Sequence, residues 1–115
     1  MVKAQKYFLL ASTIVSLLAA CAPLSSGQAL FLENCAACHA TTGETVIVGP
    51  PLASIATRAE TRVASMDARS YITQSIIAPS DYLNPGFKDV MPKSFGTYFR
   101  DEELQELVDY LMTLK

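Results

Sequence analysis

Cys35-Ala36-Ala37-Cys38-His39 decides how this chain is read, because two thiols three positions apart are followed at once by an imidazole. Within one helical turn such side chains cluster. Three chemistries use a cluster of this kind. A structural zinc site needs four ligands, yet His39 is the only histidine and, with Cys21 assigned elsewhere, no further cysteine completes the set. A thioredoxin-like redox pair expects a βαβ setting, and nothing in the chain alternates in that way. The third chemistry is covalent haem attachment: each thiol adds across a vinyl group on one edge of the porphyrin, and His39 becomes the proximal iron ligand.

The remainder of the chain supplies a second axial ligand and a small helical wrapping. On the motif at 35–39 and on Val90-Met91-Pro92, residues 25–115 resemble a class I monohaem cytochrome c. The resemblance implies an all-α fold, with three main helices and one shorter helix around a covalently bound haem c. It also implies one-electron transfer with both axial positions filled and no catalytic residue, so the protein is an electron carrier or a subunit of an oxidoreductase complex. Two other classes remain open: a five-coordinate haem that binds or senses a gas, if Met91 is unligated, and a structural lipoprotein of a larger respiratory assembly.

At 115 residues, half of them apolar, the chain makes one domain. Residues 1–20 differ from the rest. Lys3 and Lys6 give a positive start, and Tyr7 to Ala20 run without charge, the pattern of a signal peptide. Those fourteen residues fall short of the roughly 20 that span a bilayer, and Pro23 follows closely; a permanent transmembrane anchor is the alternative. Leu18-Ala19-Ala20-Cys21 resembles a bacterial lipobox, in which cleavage before the cysteine leaves a lipid on its thiol. A chance cysteine beside an ordinary cleavage site is the competing reading. Cysteine arithmetic favours the lipid, since two thiols go to haem and an odd third in an exported protein would be free to oxidise. The division expected is therefore 1–20 signal peptide, 21–26 lipid-anchored tether and 27–115 cytochrome c domain.

Loss of residues 1–20 leaves seven basic residues against eleven acidic ones, a side-chain charge of about −4. This argues against nucleic acid as a partner. The expected location is the outer, extracytoplasmic or periplasmic, face of the cytoplasmic membrane. The expected partner is a membrane-bound redox complex: a quinol-oxidising complex, a terminal oxidase or a photosynthetic reaction centre.

Ser25 and Ser26 are N-cap candidates for a helix from about Gly27 into the motif. Gly27 and Phe31 match the family's small and aromatic residues that cross the C-terminal helix; the plain alternative is that Gly27 merely precedes the helix. Val46-Ile47-Val48 reads as an extended wall over the haem. In Gly49-Pro50-Pro51-Leu52 the resemblance makes Pro50, or failing it Pro51, the proline whose carbonyl accepts a hydrogen bond from the proximal imidazole. Pro51 to about Ala59 reads as a short helix, on which Arg58 resembles the arginine facing a haem propionate, an exposed arginine being the alternative.

Ser65 offers an N-cap with Asp67 in the first turn of a helix that Pro79 must end. Its inward face is Ala68, Tyr71, Ile72, Ser75 and Ile76, with the Tyr71 hydroxyl directed either to the haem or to an ordinary backbone partner. Residues 79–96 hold too many prolines and glycines for a helix. Met91, with Pro92 stiffening its backbone, is the sixth ligand expected of that loop; Met66 and Met112 are worse placed, and Met1 lies in the signal segment. A last helix opens on Asp101-Glu102-Glu103 and carries the stripe Leu104, Leu107, Val108, Leu111, Met112, with Arg100 where relatives commonly have a serine or threonine cap. Leu107 and Tyr110 match the positions that meet the first helix.

Overall fold

Ser25 opens the first helix of the computed structural model, which describes residues 22–115. Its backbone is extended, and its Oγ accepts the Gln28 amide at 3.2 Å, satisfying one of the free donors of the first turn. Residues 1–20, read as a signal peptide, and Cys21 lie outside the described residues. Helix α1 spans Ser26–Asn34 and buries Gly27 and Phe31. Gly27 thus lies inside the helix rather than before it. Backbone bonds from Cys35 and Ala36 to Phe31 O, and from Cys38 and His39 to Cys35 O, carry the chain through the motif as consecutive turns.

Helix α2 is shorter than expected, Ile55–Ala59 rather than a helix from Pro51. The Leu52 amide is bound to Ala40 O at 2.7 Å, and the Arg58 guanidinium takes the carbonyls of Pro51 and Ala53. Ser54, directly before α2, lies in the left-handed region at φ 55°, which breaks any helix running from Pro51. Helix α3 spans Ala68–Ile77 and also starts later than read: its N-cap is Asp67, whose carboxylate accepts the Ser70 amide at 2.7 Å, and not Ser65. It stops before Pro79, as proline requires.

A second short helix, α4 at Phe95–Tyr98, forms at the end of the stretch read as loop. Once past Pro92 the backbone can turn, and Ser94 O accepts the Thr97 and Tyr98 amides. Gly96 permits this turn to press on α3, since a Cβ there would lie 2.9 Å from Ile77 O. Helix α5, Asp101–Met112, is the most regular element. The Glu103 carboxylate accepts both the Arg100 amide (3.0 Å) and its guanidinium (2.9 Å), so the N-terminus is held by the third helical residue in place of a capping hydroxyl.

The fold is all-α, three main helices and two short ones, with no strand among the described residues. Helix α1 crosses α5, and α3 packs on both α5 and the short helices. An added Cβ at Gly27 would run into the Glu106 carbonyl and lie 2.9 Å from Tyr110 Cβ, so only glycine lets the two backbones approach this closely. Next to that crossing the rings of Phe31 and Tyr110 meet at 5.6 Å between centroids. Leu107 and Val108 are fully enclosed, and Phe31, Tyr71, Ile72 and Ile76 are among the residues packed with them in the core.

Candidate functional site

Two walls of this small core stand apart and leave an open cavity of about 1220 Å³, solvent at its mouth included, lined mostly by apolar atoms. One wall is the motif. Cys35, Cys38 and His39 all face the cavity, and the two thiols are not joined in a disulfide. Burial, with a lesser contribution from neighbouring Cys38, pushes the Cys35 thiol up to about 11. A redox thiol of the Cys-x-x-Cys kind needs the opposite, a depressed value that supplies thiolate. Among the described residues no three Cys, His, Asp or Glu side chains converge to hold a metal ion by themselves.

The segment 48–52 is laced to the motif by its own backbone. Cys38 O accepts the amides of Val48 (3.2 Å) and Gly49 (2.9 Å), and Ala40 O accepts that of Leu52. This lacing sets the Pro50 carbonyl oxygen 2.8 Å from His39 Nδ1. A carbonyl only accepts, so Nδ1 carries the proton, and in the neutral imidazole Nε2 keeps its lone pair. The Pro51 carbonyl is turned elsewhere and accepts Arg58 Nη2 at 2.7 Å. Gly49 lets the arm lie against the imidazole: a Cβ there would collide with His39 Cε1 and come within 2.9 Å of both ring nitrogens.

The facing wall comes from α3 and the loop after it. Tyr71, Ile72, Ser75 and Ile76 project from α3, and Met91 comes from the loop. Tyr71 is 4 % exposed; its hydroxyl is approached by Asn84 Nδ2 at 3.4 Å, and its ring meets Tyr82 edge-on at 5.7 Å. Of the wall read in Val46-Ile47-Val48, Val48 lines the cavity, and all three side chains are about half exposed. Arg58 does not line the cavity at all; its guanidinium is held by Pro51 and Ala53 carbonyls.

Sequence reading assigns no role to Asp89. Its carboxylate accepts Lys93 Nζ at 2.6 Å and Ser80 Oγ at 3.1 Å, and the Lys93 bond, backed by that of Ser80, holds it below the ordinary carboxylate value. The i,i+4 spacing of Asp89 and Lys93 is visible in the sequence, but Ser80 comes from a separate turn. Gly49 likewise carries no role of its own in the sequence reading, although a glycine directly before the candidate proline is a signal of close backbone approach.

The donor set fits a covalently held macrocycle. Two thiols stand ready for thioether bonds, an imidazole presents a free Nε2, and a thioether sulfur shares the same apolar cavity. The family model described as Cytochrome c matches residues 24–115. Comparison with curated proteins returns no match, and comparison with solved structures returns none either.

Proposed function

The chain belongs to the cytochrome c family, and from that premise we propose that it is a one-electron carrier whose iron is held by His39 and Met91 and which is tethered by a lipid on Cys21 to the outer face of the cytoplasmic membrane. Cytochromes c bind a covalent haem c, and haem-based electron transfer follows from the family. The observation that carries the ligand assignment is the gathering of Cys35, Cys38, His39 and Met91 on one apolar cavity.

Each residue's task follows from its chemistry. Cys35 and Cys38 would hold the macrocycle through thioether bonds, so that it would stay attached if Met91 were lost. His39 presents Nε2, and the Pro50 carbonyl fixes the ring's tautomer and direction through Nδ1. Met91 supplies a soft, neutral sulfur, which favours the reduced iron and so raises the potential. The bound haem supplies the electron-accepting and electron-donating centre. The apolar side chains of α3 exclude water, so little surrounding polarity has to rearrange when the charge changes. Tyr71 stands at the cavity wall with its hydroxyl toward Asn84.

Among the described residues no helix is long and apolar enough to cross a membrane. With Cys21 as lipidated N-terminus and α1 starting at Ser26, residues 21–25 are the whole tether, roughly 17 Å when fully extended. A link so short, stiffened by Pro23, suits a cytochrome docked as a fixed subunit of a membrane redox complex better than a carrier swinging between separate complexes.

Met91→Ala tests the assignment. Haem remains attached through Cys35 and Cys38, the reduction potential falls, and the iron binds carbon monoxide or cyanide. An unchanged potential together with unchanged resistance to these ligands would remove Met91 from the iron. His39→Ala should leave little stable holoprotein, and its accumulation as a folded low-spin cytochrome would overturn the reading of residues 35–39.

A further inference from the structure

Met91 sits on a segment that is fastened to the end of α3 at both of its ends. Upstream, the Asp89 carboxylate accepts Ser80 Oγ, 3.1 Å to each oxygen, and Ser80 follows directly on the Pro79 that ends α3. Downstream, Gly96 lies so close to the last residue of α3 that a Cβ would be 2.9 Å from Ile77 O. The same Asp89 carboxylate accepts Lys93 Nζ at 2.6 Å, which ties the segment across Met91 itself. The carboxylate is therefore the single group that binds the near side of the segment to both α3 and the far side. Between Asn84, whose amide reaches the Tyr71 hydroxyl of α3 at 3.4 Å, and Met91 no other side-chain bond fixes the near side among the described residues, where Val90 is 59 % exposed and Met91 is only half-buried.

We propose that Asp89 is a positioning residue, a latch that joins Ser80 and Lys93 across Met91 and sets how readily the Met91 segment swings away from the iron. The inference rests on Met91 as the sixth ligand. The Gly96 contact is backbone against backbone, with no side chain to let go, and acts as the hinge; Asp89, Ser80 and Lys93 are surface groups and act as the releasable end. A surface ion pair adds little to global stability. Its effect falls on the local opening of one segment, whose free energy is far smaller than that of global unfolding.

The test is the rate at which imidazole, a neutral ligand, displaces the sulfur from the ferric holoprotein. Asp89→Ala should raise that rate about tenfold, the combined loss expected for one exposed ion pair and one hydrogen bond of ordinary strength, with the thermal midpoint little changed. Ser80→Ala and Lys93→Ala combined should reproduce the effect, and adding Lys93→Ala to Asp89→Ala should add little, because both act on one latch. Asp109→Ala, which removes an equal charge from the Arg69 pair on the α3–α5 face, should leave the rate as in the wild type. An unchanged rate in Asp89→Ala, or additive effects of Asp89→Ala and Lys93→Ala, overturns the latch, provided Met91→Ala takes up imidazole without the displacement step. If Met91→Ala binds imidazole no faster than the wild type, the ligand assignment fails and the latch falls with it.

Discussion

His39 Nδ1 and the carbonyl oxygen of Pro50 stand 2.8 Å apart, and the residue between the arm's backbone bonds and that carbonyl, Gly49, lies flat against the same imidazole. The ring is held from one side by a hydrogen bond and from another by contact with bare backbone. Both constraints come from one three-residue stretch, which is pinned in turn to Cys38 O. The motif thus orients its own histidine through a segment about ten residues downstream.

Gly49→Ala should therefore disturb the haem site more than its size suggests. The new methyl would meet ring atoms on one side and a pinned backbone on the other, so neither can yield cheaply. Overpacking of this kind costs about 1–3 kcal/mol, and the displaced ring should change the low-spin spectrum and the potential. Pro50→Ala keeps the carbonyl and should change both far less. Denaturant titration and potentiometry of the two holoproteins decide the matter; equal behaviour would count against the contact.

Gly27→Ala weighs two effects of opposite sign. Alanine is the better helix former by about 1 kcal/mol. Its methyl, however, would strike the Glu106 carbonyl, a helical backbone atom that cannot step aside. Separating α1 from α5 then loosens Phe31 against Tyr110 and costs about 1–3 kcal/mol. Net destabilisation is expected, read as a lower denaturant midpoint of the holoprotein. A more stable Gly27→Ala protein would show that the helices do not cross at this point.

Asp67 gives a dependence on pH whose sign is fixed. The Ser70 amide holds its carboxyl below the ordinary value of 3.8. A depressed folded-state value means the cap's stabilisation is complete above 3.8 and is lost as pH falls through the folded-state value. Asp67→Ala should lower the thermal midpoint at neutral pH, and the gap from the wild type should close as the solution is acidified below 3.8. Thermal melts of both proteins across pH 2.5 to 7 check this; a gap independent of pH would mean that the charged carboxylate is not what caps α3.

If Cys21 carries the proposed lipid, it governs location. Mass spectrometry of the mature N-terminus should find diacylglycerol on Cys21, and Cys21→Ala should release the cytochrome from membranes or weaken its association with a redox complex. An unmodified Cys21, or a retained signal segment, would refute the tether. Lipidated protein extracted in mild detergent without any redox partner would indicate a diffusing surface carrier in place of a fixed subunit.

What the sequence determined by itself is what depends on near neighbours along the chain. The Cys-x-x-Cys-His spacing, the apolar stripe of α5, the Ser25 cap, and the stop at Pro79 each rest on residues within a turn or two of one another, and each appears where it was expected. Local competition between caps was already less readable, since Ser65 and Asp67 both suit the role and only the carboxylate reaches the Ser70 amide. Tertiary structure decided the rest. It put Glu106 beneath Gly27, chose Pro50 over Pro51 as the partner of His39, turned Arg58 to the carbonyls of its own loop, and brought Ser80 to Asp89. The first three turn on where a backbone carbonyl points, and the fourth on two side chains brought together from separate turns. All four are fixed only once the chain has packed and loops have closed through bonds such as those of Gly49 to Cys38 O and Leu52 to Ala40 O, which no local pattern of residue types encodes.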